Sequence, residues 1–155
     1  MPDIVDAATR SRMMAGIRST NTRPELMIRK ALHAHGFRYR LHPRNVPGKP
    51  DMAFPRYRAA VFVHGCFWHG HDCPLFRLPG TRRDFWAAKI TRNRQRDAAV
   101  AGQLKQAGWR ALTIWECAIR GKNAPGLARV VAEAAAWLGQ GTGDHEIRGA
   151  TNGAC

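Results

Sequence analysis

The pattern of hydrophobic and polar positions predicts an order of two helices, three strands, a helix, a strand and a helix. The helices are expected at residues 9–18, 24–35, 84–107 and 126–138, and the strands at 37–41, 51–54, 59–63 and 109–115. The sequence TRPE at 22–25 has the form of a capping box with proline just inside the helix start, and Gly36 ends that helix. The three short strands are compatible with a meander.

Beyond residue 138 the sequence GQGTGDHEIRGATNGAC offers little apolar surface to bury. We therefore expect a disordered tail over residues 139–155, with Cys155 as a free thiol within it. A chain of 155 residues with 45% hydrophobic content is long enough for one core. The sequence predicts a single α/β domain over residues 1–138.

The charge balance narrows the class of partner. Lys and Arg number 25 against 11 Asp and Glu, a formal net charge of +14. Such an excess is typical of proteins that bind polyanions, with nucleic acid as the first candidate, although a merely charged surface is the alternative. The chain lacks an apolar run of about 18 residues and a signal-peptide core, so we expect a cytoplasmic protein with no membrane partner.

The stretch VFVHGCFWHGHDC at 61–73 contains three candidate zinc ligands. Cys66, His71 and Cys73 lie within one loop, and Cys117 follows the strand at 109–115, whose end can lie beside that loop. A reducing compartment disfavours disulfides, so these cysteines favour a structural Zn²⁺ site. Buried free cysteines beside an unrelated histidine are the alternative.

Large aromatic side chains lie between and beyond these ligands. Phe67 and Trp68 are adjacent, so strand-like alternation would not bury both, and Trp86 lies near the start of the long helix. In a basic chain such rings can project outward and stack between bases. Packing in the core is the alternative.

The remaining polar residues suggest a reaction centre. Asp51 opens one predicted strand, and His64 and His69 follow the end of the next. A carboxylate is a hard ligand for Mg²⁺, and a neutral imidazole can accept a proton from water near pH 7. Asn93 and Asp97 are four residues apart on the long helix, so both face the same way and could support that imidazole, although exposure to solvent is the alternative for each.

Several motifs together resemble the very short patch repair (Vsr) DNA mismatch endonucleases. They are PGKPD at 47–51, VFVHGCFWHGHDC at 61–73, TRRDFWAAKITRNRQRD at 81–97, GWRALTIWECAIRG at 108–121 and DAATRSRMMAGIRSTNTRPE at 6–25. The resemblance covers about residues 3–138. It implies a restriction-endonuclease-like central mixed sheet flanked by helices, and a nick in one strand, 5′ to the thymine of a T·G mismatch left by deamination of 5-methylcytosine.

The resemblance also implies roles for individual residues. Asp51 and the backbone carbonyl of Val63 would bind Mg²⁺, and Glu25, otherwise the reciprocal half of a capping box, would reach the metal through water. His69 would be the general base, with Asp97 orienting it. The remaining implied roles are phosphate or metal-water contacts for His64 and Asn93, zinc ligation by Cys66, His71, Cys73 and Cys117, intercalation by Phe67, Trp68 and Trp86, and minor-groove clamping by Met14 and Ile17 within an N-terminal segment 1–20.

Two positions depart from the family pattern. Val63 stands where some relatives have threonine, and Gly70 replaces a neighbouring histidine. Neither change removes a proposed ligand side chain. The family further implies a location at the bacterial nucleoid, with double-stranded DNA and other mismatch-repair proteins as partners. Nicking a single strand requires one active site, so we expect a monomer. Two alternatives remain: a catalytically silent zinc module that recognises distorted DNA, and a non-specific Mg²⁺-dependent nuclease.

Overall fold

A computed structural model describes residues 22–149 of the chain. Three helices pack on a five-stranded sheet: α1 (Arg23–Ala34), β1 (Arg40–Leu41), β2 (Met52–Phe54), β3 (Ala59–His64), α2 (Arg83–Gln106), β4 (Arg110–Trp115), α3 (Leu127–Gln140) and β5 (His145–Ile147). The predicted helix at residues 9–18, with Met14 and Ile17, and Cys155 lie outside the described residues. None of the helices described is both long enough and apolar enough to cross a membrane.

The sheet is mixed, with the strands in chain order from β1 to β5. The first three strands form the antiparallel meander that the sequence suggested, with Leu41 opposite Met52 and Met52 opposite Val61. Strand β4 then joins β3 in parallel, and β5 joins β4 in parallel. This arrangement confirms the predicted α/β class and places the ends of β3 and β4 side by side.

Helices cover both faces of the sheet, and successive strand residues contribute side chains to opposite faces. On one face α1 and α3 contribute Ile28, Leu32 and Trp137 to a core that includes Phe54. On the other face Leu104 of α2 packs on small strand residues such as Ala53 and Ala60. The small side chains let α2 lie close to the sheet. Only part of this helix packs on the sheet through apolar residues, and the rest carries polar residues.

The expectation of a disordered segment from residue 139 is wrong for residues 139–149. Helix α3 continues to Gln140, and β5 pairs with β4 so that Ile147 is buried. Polar contacts hold the connection: the Trp137 indole N–H donates to the Gly143 carbonyl at 3.1 Å, and the Ala111 N–H donates to the Asp144 carboxylate at 2.9 Å. Hydrophobic patterning missed this strand because backbone pairing and polar contacts, rather than apolar side chains, fix most of it.

The first predicted strand is also shorter than expected. Of residues 37–41, Arg40 and Leu41 alone form strand β1. The apolar residues before it, Phe37 and Tyr39, instead pack edge to face against Phe54 at centroid distances of 6.3 and 5.7 Å. Their apolar character therefore reflects contact with the core rather than strand pairing.

Candidate catalytic cleft and metal centre

A cleft of about 460 Å³ opens beside the end of β3, between the sheet and α2. Its lining includes the sequence-predicted residues Asp51, Val63, His64, His69, Asn93 and Asp97. They come from four places in the chain: the residue before β2, the end of β3, the following loop and the middle of α2. The fold therefore brings together the residues that the sequence selected as a reaction centre.

His69 and Asp97 form a hydrogen-bonded pair in this cleft. The His69 Nδ1 atom lies 2.5 Å from an Asp97 carboxylate oxygen, so Nε2 is the nitrogen available to a substrate. Asn93, one turn earlier on α2, donates to the Trp68 carbonyl at 2.8 Å. Asn93 thus holds the backbone of the loop that carries His69, while Asp97 holds its ring.

The His64 ring stacks on the His69 ring, with centroids 3.7 Å apart and planes 4° from parallel. Burial, with a smaller contribution from the neighbouring His69, lowers the pKa of His64 to about 3. His64 is therefore neutral near pH 7. Its buried Nδ1 atom has no hydrogen-bond partner among residues 22–149.

Asp51 lies in a second cluster at the same cleft. Burial, together with the nearby Glu25 carboxylate, raises the pKa of Asp51 to about 7, while a hydrogen bond from the Val63 backbone N–H at 2.6 Å opposes the rise. Glu25 is only 1% exposed and contacts Arg29 at 2.9 Å and His42 at 3.0 Å. Ligand atoms of Glu25, His42 and Asp51 all lie within 4.8 Å of one another.

This donor set fits a divalent cation. Burial and the nearby Glu25 carboxylate both disfavour the charged form of Asp51, and a cation between the two carboxylates would remove that cost. The N–H and C=O groups of one strand residue point to the same edge of the strand, so the Val63 carbonyl also faces Asp51. The geometry is thus compatible with the backbone-carbonyl ligand at Val63 that the family resemblance implies.

His42 was not selected from the sequence. A lone histidine in the polar loop HPRNVPGKP gives no local signal. Its partner Asp51 is nine residues away along the chain, and the short β1–β2 pairing brings the two together.

The four predicted zinc ligands form one compact cluster. Ligand atoms of Cys66, His71, Cys73 and Cys117 lie within 4.8 Å of one another, and Cys117 Sγ lies 3.5 Å from His71 Nδ1. A tetrahedral Zn²⁺ with ordinary bond lengths separates a sulfur and a nitrogen ligand by about 3.6 Å. Burial raises the pKa of the Cys66 and Cys117 thiols, so a cation at the centre would supply the charge that makes them thiolates. The residues fit a structural metal ion.

The C-terminal segment closes this cluster. The Gly149 backbone N–H donates to Cys117 Sγ at 3.3 Å, and the Arg148 guanidinium contacts the Asp72 carboxylate at 2.5 Å. A Cβ atom on Gly149 would lie 2.4 Å from the Cys117 carbonyl oxygen, so glycine is required for this approach. The ring of Trp115 stacks on His71 at 3.9 Å. Sequence reasoning missed Arg148 and Gly149 because it expected no structure there.

Phe67, Trp68 and Trp86 form an aromatic cluster beside the cleft. Their ring centroids lie 5.1 to 5.7 Å apart. All three side chains are half-buried, and they lie outside both core clusters of the described residues. The Lys89 ammonium lies 5.6 Å from the Trp68 ring, and the neighbouring Phe85 is 41% exposed. The cluster is therefore an apolar surface next to positive charge.

Comparisons with known proteins point to one family. A sequence profile of the family described as DNA mismatch endonuclease Vsr matches residues 2–75. The chain is 43% identical over 123 residues to the DNA mismatch endonuclease Vsr of Escherichia coli K12, covering 79% of each chain. It is 46% identical over 117 residues to the type II nicking enzyme V.XorIIP of Xanthomonas oryzae, covering 76% of this chain and 86% of that one. It is 41% identical over 122 residues to the type II nicking enzyme V.NmeAIP of Neisseria meningitidis, covering 79% and 87%.

Proposed function

The chain belongs to the Vsr family of DNA mismatch endonucleases, and from that premise we propose that it nicks one strand of DNA 5′ to the thymine of a T·G mismatch. Membership confirms the restriction-endonuclease-like fold and makes the chain a DNA endonuclease. The observation that carries the finer proposal is a single cleft: the His69–Asp97 pair and Asp51 line it, and the aromatic cluster lies beside it.

Each side chain of the cleft has a proposed task. Asp51 and the Val63 carbonyl would hold Mg²⁺, and Glu25 would reach it through water. When bound, the ion would polarise the scissile phosphate and lower the pKa of bound water. Asp97 keeps Nε2 of His69 free, and that nitrogen takes the proton of the attacking water. Asn93 fixes the loop through the Trp68 carbonyl, and the neutral His64 ring stacks on the His69 ring.

The aromatic cluster supplies recognition in this proposal. Phe67, Trp68 and Trp86 enter the base stack at the mismatch, where unstacking costs less than in matched DNA. Lys89 and the net charge of +14 attract the phosphate backbone. The N-terminal residues Met14 and Ile17 remain proposed contacts on the minor-groove side. Zn²⁺ at Cys66, His71, Cys73 and Cys117 fixes the loop that carries the first two rings.

The cellular setting follows from the substrate. We propose a monomer, because cutting one strand requires one active site, working on DNA in the bacterial cytoplasm and nucleoid. Other mismatch-repair proteins are proposed partners. The bases that flank the mismatch would match the site of an associated cytosine methyltransferase.

The test is a nicking assay on two end-labelled duplexes that differ in one base, T·G against T·A, each incubated with and without Mg²⁺. One Mg²⁺-dependent cut beside the mismatched thymine supports the proposal. Equal cutting of both duplexes would indicate a general nuclease. Tight binding of the T·G duplex without a cut, in every flanking sequence tried, would instead favour the silent recognition module.

A further inference from the structure

His42 is placed at the Asp51 cluster by strand register. Leu41 lies opposite Met52, so the next pair along the ladder is His42 and Asp51, and the His42 N–H donates to the Asp51 carbonyl at 3.3 Å. Side chains of directly opposite residues share one face of a sheet, with Cβ atoms about 4.5–5.5 Å apart. The His42 backbone has φ +45°, a conformation that residues other than glycine rarely adopt.

The distance between His42 and Asp51 matches that between two ligands of one octahedral ion. With metal–ligand bonds of about 2.1 Å, opposite ligand atoms lie about 4.2 Å apart. His42 Nε2 lies 4.0 Å from an Asp51 oxygen, and its 3.0 Å contact with a Glu25 oxygen holds the ring in the cluster. The imidazole nitrogen therefore occupies a position that a ligand of the same cation would occupy.

We propose that His42 is a nitrogen ligand of the divalent cation held by Asp51, and that it gives the site a preference for Mn²⁺ over Mg²⁺. The inference rests on the proposed function, because that function places a cation at Asp51. Carboxylate and carbonyl oxygens suit Mg²⁺ and Mn²⁺ alike, whereas imidazole favours transition metals over Mg²⁺. Replacement of one oxygen position by Nε2 thus shifts selectivity without changing the other ligands.

If His42 only positioned Glu25, the His42→Gln variant would behave differently than if His42 were a metal ligand. As a positioning residue, His42 would act through its hydrogen bond to Glu25, and a glutamine side chain can still donate such a bond. As a ligand, His42 would be poorly replaced by the glutamine amide, which offers the metal an oxygen in place of an imidazole nitrogen. His42→Gln therefore separates the two roles, and His35→Gln, at the exposed end of α1, is the matched control.

The experiment titrates Mn²⁺ and Mg²⁺ into the zinc-loaded full chain and records Mn²⁺ by electron paramagnetic resonance, with pulsed detection of bound imidazole nitrogen. We expect His42→Gln to lose an imidazole-nitrogen coupling and to bind Mn²⁺ with an affinity lower by about tenfold or more. The affinity for Mg²⁺ should fall less. His35→Gln should behave like the unmodified chain. Thermal unfolding of each variant verifies that the fold is intact.

Two variants test the two claims separately: that His42 is a ligand, and that a cation binds at Asp51. An unchanged nitrogen coupling and Mn²⁺ affinity in folded His42→Gln would overturn the ligand role of His42. Asp51→Asn tests the underlying site: lost Mn²⁺ binding supports a cation at Asp51. Retained Mn²⁺ binding in Asp51→Asn would place the cation elsewhere and remove the metal assignment of the proposed function, whatever His42→Gln does.

Discussion

Replacement of Asp97 by asparagine removes a charge from the proposed catalytic pair while keeping its shape. Asp97 lies 2.5 Å from His69 Nδ1, and the two side chains are 33% and 22% exposed. In the proposed mechanism the carboxylate fixes the ring and stabilises the positive charge that His69 acquires when it takes a proton from water. Asparagine can keep a hydrogen bond but supplies no negative charge.

The expected loss follows from the strength of that interaction. A hydrogen bond to a charged group contributes about 1.5–3 kcal/mol, which corresponds to a rate about 10- to 150-fold lower. Solvent reaches both side chains, so screening favours the lower part of this range. Because the contact matters most as charge develops on His69, the change should appear in the rate of nicking and leave the affinity for mismatched DNA almost unaltered.

The assay is single-turnover nicking of a T·G duplex with enzyme in excess, so that product release does not mask the chemical step. Asp84→Asn is the matched control, because it makes the same charge change in the first turn of the same helix, away from His69. Nicking by Asp97→Asn within twofold of the unmodified chain, with thermal unfolding unchanged, would refute a role for Asp97 in catalysis.

The other expected outcomes concern the cation, the zinc cluster and the aromatic cluster. Asp51→Asn should abolish nicking yet retain mismatch binding in gel-shift assays; undiminished cutting would remove this carboxylate from the reaction. Cys117→Ser should lower bound zinc and folded yield, and one zinc per folded chain in this variant would place the fourth ligand elsewhere. Trp68→Ala should reduce the preference for mismatched over matched DNA by about 1–3 kcal/mol, whereas a core role would appear as lost thermal stability. Gly149→Ala should lower the Tm and speed zinc loss to a chelator, because its Cβ would lie 2.4 Å from the Cys117 carbonyl oxygen. Gly139→Ala, where a Cβ meets open space, should do neither.

Local sequence was sufficient where neighbouring residues act together. The capping sequence before α1 and the long proline-free run of α2 predicted those helices, since their signals lie within a few turns. Cys66, His71 and Cys73 are close along the chain, so their spacing alone indicated a metal loop. Recognition of Cys117 required one further rule, that strand ends in a small sheet can lie side by side, and the parallel register of His64 with Trp115 agrees with it.

Tertiary structure decided the contacts between distant segments. A short hairpin register, invisible in hydrophobic pattern, brings His42 to Asp51 and Glu25. Backbone pairing of β5 with β4 brings Gly149 to Cys117, although the segment has few apolar residues. The sequence by itself determined the residue types and the elements that carry the candidate chemistry. Strand pairing determined which of them meet, because hydrogen-bond register depends on both strands and neither strand encodes it alone.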